Sequence, residues 1–253
     1  MADATSVPGL ASATSSETRP LRHSALVRIT HWIATIGFFA LLFSGLEIVV
    51  SHPRFYWGEA GNVLTPPLFS LPIPASRSSV PTGYPFVLPD QNGWSRDLHF
   101  EAGWVVVLTG LVYVASGLFT RHFRKYLVPI GLDLRWAALS RTMANHLHFS
   151  RSVAAEAWSY NSLQRLTYLF VIFIVFPLMI LTGLAMSPAV TAVFPAIVTG
   201  LGGQQTARTI HFFGTVFLVV FLLVHIVMVC RAGFIARTRA MFTGRIVGPK
   251  EQA

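Results

Sequence analysis

Residues 208–229 decide the class of fold, and they read RTIHFFGTVFLVVFLLVHIVMV. As one helix, a run of this length crosses about 30 Å of hydrocarbon. Its only ionisable side chains are Arg208 at its start and two histidines, His211 and His225. Other apolar runs are equally long, so the sequence predicts four spans, at about 25–50, 98–119, 163–186 and 208–229. They must be helices, because open strand edges leave backbone polar groups unsatisfied in lipid.

The composition supports an all-α integral membrane protein built as one four-helix bundle. Of its 253 residues, 53% are hydrophobic and 11% are charged, whereas soluble domains are about 25% charged. Four spans and their connections leave no room for a second folded domain. We therefore expect one membrane domain over 22–245, a disordered N-terminal tail at 1–21 and a short C-terminal tail at 246–253.

The distribution of basic residues predicts the orientation. Arginine and lysine cluster before the first span, between the second and third, and after the fourth. On the other side, 187–207 has no basic residue and 51–97 has only Arg54, Arg77 and Arg96. The positive-inside rule then places both termini in the cytoplasm. Because topology accounts for the net charge of +9, nucleic acid is not expected as a partner.

The outer connection 51–97 is long for a link between two helices. It contains eight prolines and several aromatic residues, among them Tyr56, Trp57 and Trp94. Long loops without regular structure are usually functional or disordered. The aromatic residues favour an ordered cap or a docking surface for protein over a free linker.

Four of the nine histidines lie within or at the margin of the apolar runs. An ionisable side chain at that depth indicates function, because burying it in lipid costs free energy. His211 and His225 are fourteen residues apart, which places them within about 40° on one helix face and roughly 21 Å apart along the axis. His31 matches the depth of His225, and His99 matches that of His211. The sequence therefore predicts an inner pair (His31 and His225) and an outer pair (His99 and His211).

Each pair offers two neutral imidazoles, with no carboxylate or thiolate pair nearby in the sequence. A bare cation usually takes four or more ligands, whereas a porphyrin supplies four nitrogens and leaves two axial positions. Cys230 is the only cysteine, which excludes an iron–sulfur cluster held by this chain alone and covalent c-type haem. We therefore expect two non-covalent, bis-histidine b haems. Arg28 is expected at a propionate of the inner haem, although the positive-inside rule also explains it.

Small residues accompany the histidines. A Ser/Thr-Gly-Leu triplet occurs four times, at 44–46, 109–111, 116–118 and 182–184. Gly45 lies fourteen residues after His31, and Gly117 lies eighteen after His99. Each glycine thus shares a helix face with a predicted ligand, Gly45 at the level of the outer pair and Gly117 at that of the inner pair, and is expected to make room for haem. The alternative is that these glycines only let helices pack closely.

The stretch R-x-x-H-W at 28–32, His99 at the start of the second span, and the spacing of His211 and His225 resemble the bacterial cytochrome b561-like superfamily. This superfamily includes the b-type cytochrome subunits of Ni–Fe hydrogenase, formate dehydrogenase and thiosulfate reductase. The resemblance covers about 22–245 and leaves out the tails and the loop 51–97. It implies a protein of the bacterial inner membrane.

The resemblance also implies a haem-bearing subunit that exchanges electrons between the quinone pool and a partner outside the cytoplasmic membrane. The chain looks most similar to the cytochrome that accompanies molybdopterin enzymes of the sulfite-oxidase-like type. A c-type cytochrome is the other partner considered, and a homo-oligomer stays open. Formate dehydrogenase subunits of this kind bind quinone near the inner haem, which makes Asn161 and Gln164 candidate quinone contacts. N-capping of the third helix is an equally good explanation for Asn161.

Three other functions stay open from the sequence. A stand-alone enzyme of the same superfamily would oxidise a small molecule such as superoxide at the outer face, although the long loop favours a docked partner. A transporter would need polar residues through the midplane and broken helices in paired halves, and Pro177 is the only candidate for a break. A membrane di-iron enzyme needs several closely spaced histidine boxes, and only His146 and His148 are that close.

Overall fold

The computed structural model describes residues 24–62, 64–73, 94–128 and 162–244. Its four long helices are each long and apolar enough to cross a membrane. They are α1 (Ala25–Ser51), α2 (Trp94–Phe119), α3 (Ser162–Phe170, Val171–Val175 and Phe176–Ala185 in succession) and α6 (Gln204–Arg231). The predicted helical bundle of four spans is confirmed. The tails expected at 1–21 and 246–253 lie outside the described residues.

Shorter elements connect and extend the spans. They are β1 (Arg54–Phe55), β2 (Phe69–Ser70), a π-helical turn (Phe123–Leu127), α4 (Pro188–Val193), α5 (Ala196–Gly200) and α7 (Phe234–Thr243). β1 and β2 form a small antiparallel hairpin. We name the end of the bundle with this hairpin the loop end, and the end with α7 the tail end. The outer pair belongs to the loop end and the inner pair to the tail end.

Two spans begin four residues earlier than predicted. α2 starts at Trp94, and Asp97 lies in its first turn, where a negative charge is stabilised by the helix dipole. α6 starts at Gln204, whose backbone N–H donates to the carboxylate of Glu59 at 3.2 Å. This bond satisfies one of the amides that a helix N-terminus leaves without a partner in the helix itself.

The spans pack as two helix pairs with a cleft between them. α1 packs along α2 and α3 packs along α6, whereas the two pairs approach each other closely at few points. Gly37 allows the close approach within the first pair, because a Cβ there would lie 2.5 Å from Val106 Cγ2. One helix pair contributes His31 and His99 and the other contributes both remaining histidines, so each histidine pair is divided across the cleft.

An apolar layer lies at the middle of the bundle. Val171, Val175 and Leu218 form a buried cluster, and Phe38 of α1 packs against it from across the cleft. Leu218 is midway between the two histidines of α6, seven residues from each. The layer therefore separates the levels of the inner and outer pairs.

α3 remains continuous past its proline. A proline inside a helix lacks an N–H and its ring clashes with the carbonyl four residues earlier. Here the segment Val171–Val175 is π-helical, and the N–H of Phe176 bonds the carbonyl of Val171. Pro177 follows this wider turn, which is a usual way for a helix to accommodate such a disruption.

Large apolar side chains cover the outward faces of the spans. Ile36, Phe43, Leu108 and Leu223 are all exposed. A monomeric soluble protein rarely exposes so much contiguous apolar surface, whereas lipid is the matching solvent for it. The helices therefore turn their apolar faces to the bilayer and keep the histidines in the cleft.

Candidate functional site

The outer pair lies across the cleft, with His99 on α2 and His211 on α6. The ring centroids are 6.2 Å apart and the ring planes cross at 62°. A metal ion bound to one nitrogen of each ring would lie about 2.0–2.1 Å from both nitrogens, which with the width of the rings gives about 6 Å between ring centres. The observed separation therefore fits two axial ligands of one metal centre.

A buried hydroxyl group lies beside each ring of the outer pair. Ser44 Oγ is 3.0 Å from His99 Nδ1, and Thr182 Oγ1 is 2.9 Å from His211 Nδ1. Both hydroxyl-bearing residues are fully buried. Each hydroxyl is also close to a carbonyl oxygen one turn earlier in its own helix, at 2.6 Å for Ser44 and 2.8 Å for Thr182.

These contacts assign the same tautomer to both rings. Oxygens 2.6 or 2.8 Å apart have a proton between them, and a hydroxyl has one proton to donate. Each hydroxyl therefore donates to its own helix and accepts from the histidine Nδ1–H. Nε2 of each ring thus keeps a free lone pair, as a metal ligand requires.

Two glycines make room beside the outer rings. A Cβ at Gly45 would lie 3.3 Å from His99 Cε1, and a Cβ at Gly183 would lie 3.6 Å from His211 Cε1. Gly45, which was predicted at the level of the outer site, lies at that level. Larger side chains at these two positions would crowd the rings.

This arrangement fits haem better than a bare ion. The two lone pairs, the 6.2 Å separation of the rings and the flanking glycines suit a flat macrocycle with two axial ligands. In the part of the chain that the structure describes, no group of three or more His, Cys, Asp or Glu side chains could hold a metal ion. The remaining donors would therefore have to come from the cofactor.

The inner pair, His31 on α1 and His225 on α6, is held differently. His31 Nδ1 is buried and has no hydrogen-bond partner among the described residues. Aromatic rings pack against both histidines instead, Trp32 at 5.4 Å from His31 and Phe221 at 6.0 Å from His225, centroid to centroid.

α7 covers the inner pair at the tail end. The indole N–H of Trp32 donates to the carbonyl of Met241 at 3.2 Å, and its ring stacks on Phe242 at 4.5 Å. Arg28 donates through Nη1 to the carbonyl of Phe242. Its Nε is buried without a partner in the described ranges, so one donor of Arg28 is uncommitted. A contact of Arg28 with a haem propionate stays a prediction.

The other predicted site residues lie elsewhere. A Cβ at Gly117 would lie 2.4 Å from the ring of Phe123, so the packing of that ring alone explains the glycine, and its predicted haem contact remains untested. Gln164 lies in the first turn of α3 at the tail end. Asn161 lies outside the described residues, and its predicted quinone contact also stays a prediction.

Arg208 ties the outer loop to α6, one turn before His211. Its guanidinium donates to the carbonyl of Arg54 at 3.0 Å and to that of His52, and lies 4.8 Å from the centroid of the Phe55 ring. Burial, and then the charges of Arg208 and Arg96, lower the pKa of His52. Its ring is neutral at pH 7, because the ordinary histidine pKa is about 6.5.

The described loop residues that follow form an ordered cap on α6. Residue 63 and residues 74–93 of this connection lie outside the described ranges, and its predicted role as a whole stays a prediction. Thr209 Oγ1 donates to the carbonyl of Tyr56 at 2.7 Å, and the N–H of Gly58 donates to Thr206 Oγ1 at 2.7 Å. Gly203 has a φ of 111°, and a Cβ there would lie 2.4 Å from the backbone of Gly58. The cap therefore depends on a glycine at the start of α6.

Three side chains at the outer pair escaped sequence analysis: Ser44, Thr182 and Arg208. Two of the four Ser/Thr-Gly-Leu triplets contain the hydroxyls, but within these two triplets only Gly45 was predicted to have a role. An Arg-x-x-His pattern also occurs three times, at 28–31, 96–99 and 208–211. An arginine three residues before a histidine lies on the same helix face, one turn nearer the membrane surface.

Four membrane spans with histidines paired across a cleft define a membrane-bound haem protein of the cytochrome b class. The family described as prokaryotic cytochrome b561 matches residues 22–244. The chain belongs to this family, which confirms the predicted resemblance. Membership implies b-type haem and electron transport, and with the four apolar helices it makes the chain a multi-pass protein of the inner membrane.

Two relatives are similar over most of their length. A chain of Azospira oryzae named protein-methionine-sulfoxide reductase subunit YedZ1 is 28% identical over 213 residues, 82% of this chain and 89% of the relative. A chain of Cupriavidus necator named Ni/Fe-hydrogenase B-type cytochrome subunit is 25% identical over 232 residues, 87% of this chain and 83% of the relative. Both names describe subunits of oxidoreductases.

Proposed function

We propose that this chain holds two non-covalent b haems and carries electrons across the inner membrane between the quinone pool and an oxidoreductase outside it. His99 and His211 would hold the outer haem, and His31 and His225 the inner one. The observation that carries the proposal is the outer pair, whose rings lie 6.2 Å apart across the cleft between two helix pairs. When bound, haem supplies a one-electron redox couple inside the membrane.

The residues of the chain supply position and insulation. The hydroxyls of Ser44 and Thr182 orient the outer rings with Nε2 free. The layer of Phe38 and Leu218 lies between the two levels and keeps water from joining them. A charge that moves between the levels crosses part of the membrane field, worth about 2.3 kcal/mol per 100 mV over the full thickness. Electron passage should therefore depend on membrane potential.

The two ends of the bundle suit different partners. We infer from the distribution of basic residues that the tail end is cytoplasmic and the loop end faces outward. The ordered cap at the loop end then offers a protein surface beside the outer pair. The two relatives are named as subunits of different oxidoreductases, which supports a protein partner of that class. Within it we propose a molybdopterin enzyme of the sulfite-oxidase-like type, with a c-type cytochrome as the alternative.

Quinone is proposed to bind at the tail end. Gln164 lies in the first turn of α3, near the lipid boundary, and Asn161 precedes that helix in the sequence. Amide side chains at this depth can donate to and accept from a quinone head group that enters from lipid.

A haem count on the purified chain tests the central claim. A pyridine haemochrome assay should return two b haems per polypeptide, and acid acetone should extract both because neither is covalent. Reduced b-haem bands would be absent if the chain were a transporter or a di-iron enzyme. A stoichiometry of one would refute the two-site proposal and leave the outer pair as the single site.

A further inference from the structure

The four Ser/Thr-Gly-Leu triplets differ in what their side chains meet. In the triplets that start at Ser44 and Thr182, the hydroxyl meets Nδ1 of an outer histidine and the glycine meets Cε1 of the same ring. In the first of the two α2 triplets, the hydroxyl of Thr109 donates to a carbonyl of its own helix at 2.6 Å, and a Cβ at Gly110 would have no described atom within 4 Å. Two triplets thus form matched cradles for the outer rings.

We propose that Ser44 and Thr182 are positioning residues that set the redox potential of the outer site and make it lower than it would be without them. The inference rests on the proposed function, because it concerns how the chain's own residues act on a haem bound between His99 and His211. An acceptor on Nδ1–H increases the basicity of an imidazole and fixes the orientation of its ring. A more basic ligand stabilises the oxidised iron and so lowers the potential.

The geometry supports this role on both sides of the site. Ser44 comes from α1 and supports the ring on α2, whereas Thr182 comes from α3 and supports the ring on α6. Each helix pair therefore carries one complete ligand-and-hydroxyl unit. Both hydroxyls are 0% exposed, so water cannot replace them as acceptors without a rearrangement of the helices.

The inner pair lacks this device, at least at one ring. His31 Nδ1 has no hydrogen-bond partner in the ranges that the structure describes. The hydroxyls should therefore act on the outer site alone, and this makes the inner site an internal control. A general loss of stability would affect both sites, whereas a loss of one acceptor should affect one.

The test is a redox titration, combined with low-spin EPR, of the full chain in detergent. Thr182→Val keeps the shape of the side chain and removes the acceptor, and Ser44→Ala does the same on the other ring. We expect each variant to shift the outer potential to more positive values, the double variant to shift it further, and the inner potential to stay unchanged. Loss of a partner of this kind typically costs roughly 10- to 100-fold in metal affinity, so weaker retention of the outer haem is also expected.

Thr182→Ser should restore the wild-type potential because it restores the acceptor, and Thr109→Val should change nothing. Two bound haems with unaltered outer potential and EPR signal in both Thr182→Val and Ser44→Ala would refute this inference and leave the proposed function intact. Equal shifts at both sites would refute it too, since that result indicates a general structural effect. A wild-type chain without haem would instead refute the proposed function itself.

Discussion

The outer and inner histidine pairs lie in different surroundings. The outer rings are fixed by hydroxyls at 3.0 and 2.9 Å from Nδ1 and lie under a cap of hydrogen-bonded loop. The inner rings are packed by Trp32 and Phe221, and His31 Nδ1 has no partner among the described residues. Directional bonds thus position the outer rings, whereas ring packing positions the inner ones.

This difference bears on the different functions that we propose for the two ends of the bundle. A hydrogen-bonded ring has one orientation, which suits a site of fixed geometry and potential. A ring held by packing alone has more rotational freedom, which would suit the quinone binding that we propose near the inner pair. Both covering segments are held by hydrogen bonds, the cap on α6 and α7 on α1, and α7 adds an aromatic ring that stacks on Trp32.

The largest expected effect comes from removing one ligand on α6. His211→Ala should lose the outer haem and keep the inner one, and His225→Ala should do the reverse, because the two sites share a helix and no ligand. Each variant should fall from two haems per chain to one in the pyridine haemochrome assay. Loss of both haems from a well-folded His211→Ala chain would show that the histidines are paired differently.

A smaller effect is expected at the tail end, where quinone is proposed to bind near the inner pair. Replacing Asn161 and Gln164 together by Ala should slow haem reduction by a quinol analogue by about tenfold, since two polar contacts are worth about 1–3 kcal/mol. Stopped-flow absorbance would measure the rate, and both haem spectra should remain as in the wild type. Unchanged quinol kinetics would remove quinone from the tail end and direct the search to the outer pair.

The smallest effect should appear in the stability of the loop cap on α6. Thr209→Val removes the 2.7 Å bond to the Tyr56 carbonyl and should weaken the cap by about 1 kcal/mol. Hydrogen exchange in the peptide 52–62 should then quicken about fivefold. Thr215→Val is the matched control, because that hydroxyl bonds a carbonyl of its own helix. Equal exchange in both variants would mean that the cap does not depend on Thr209.

Much of the bundle was predictable from local patterns. The four spans were found by length and apolarity, and only their starts at Trp94 and Gln204 were missed. These starts are less apolar than the spans that follow them, and the start at Gln204 is bonded to another segment through Glu59. The meeting of His99 with His211 was also predicted, since depth within a span follows from position in the chain.

The neighbours of the small residues were not predictable in the same way. Gly45 and Gly117 looked equivalent, because both share a helix face with a histidine. In the structure Gly45 lies against His99, whereas Gly117 lies against Phe123. Periodicity gives the face of a helix, but the identity of the ring on the other side depends on how the helices pair.

The sequence by itself determined the number of spans, the four intramembrane histidines and their two levels, because length, apolarity and helical rise are properties of each segment alone. Only the tertiary structure decided which hydroxyl supports which ring and which segment covers each pair. Ser44 and His99 are 55 residues apart in the chain and 3.0 Å apart in space. Such contacts depend on how one helix packs against another, and this packing cannot be deduced from the periodic pattern within a single helix.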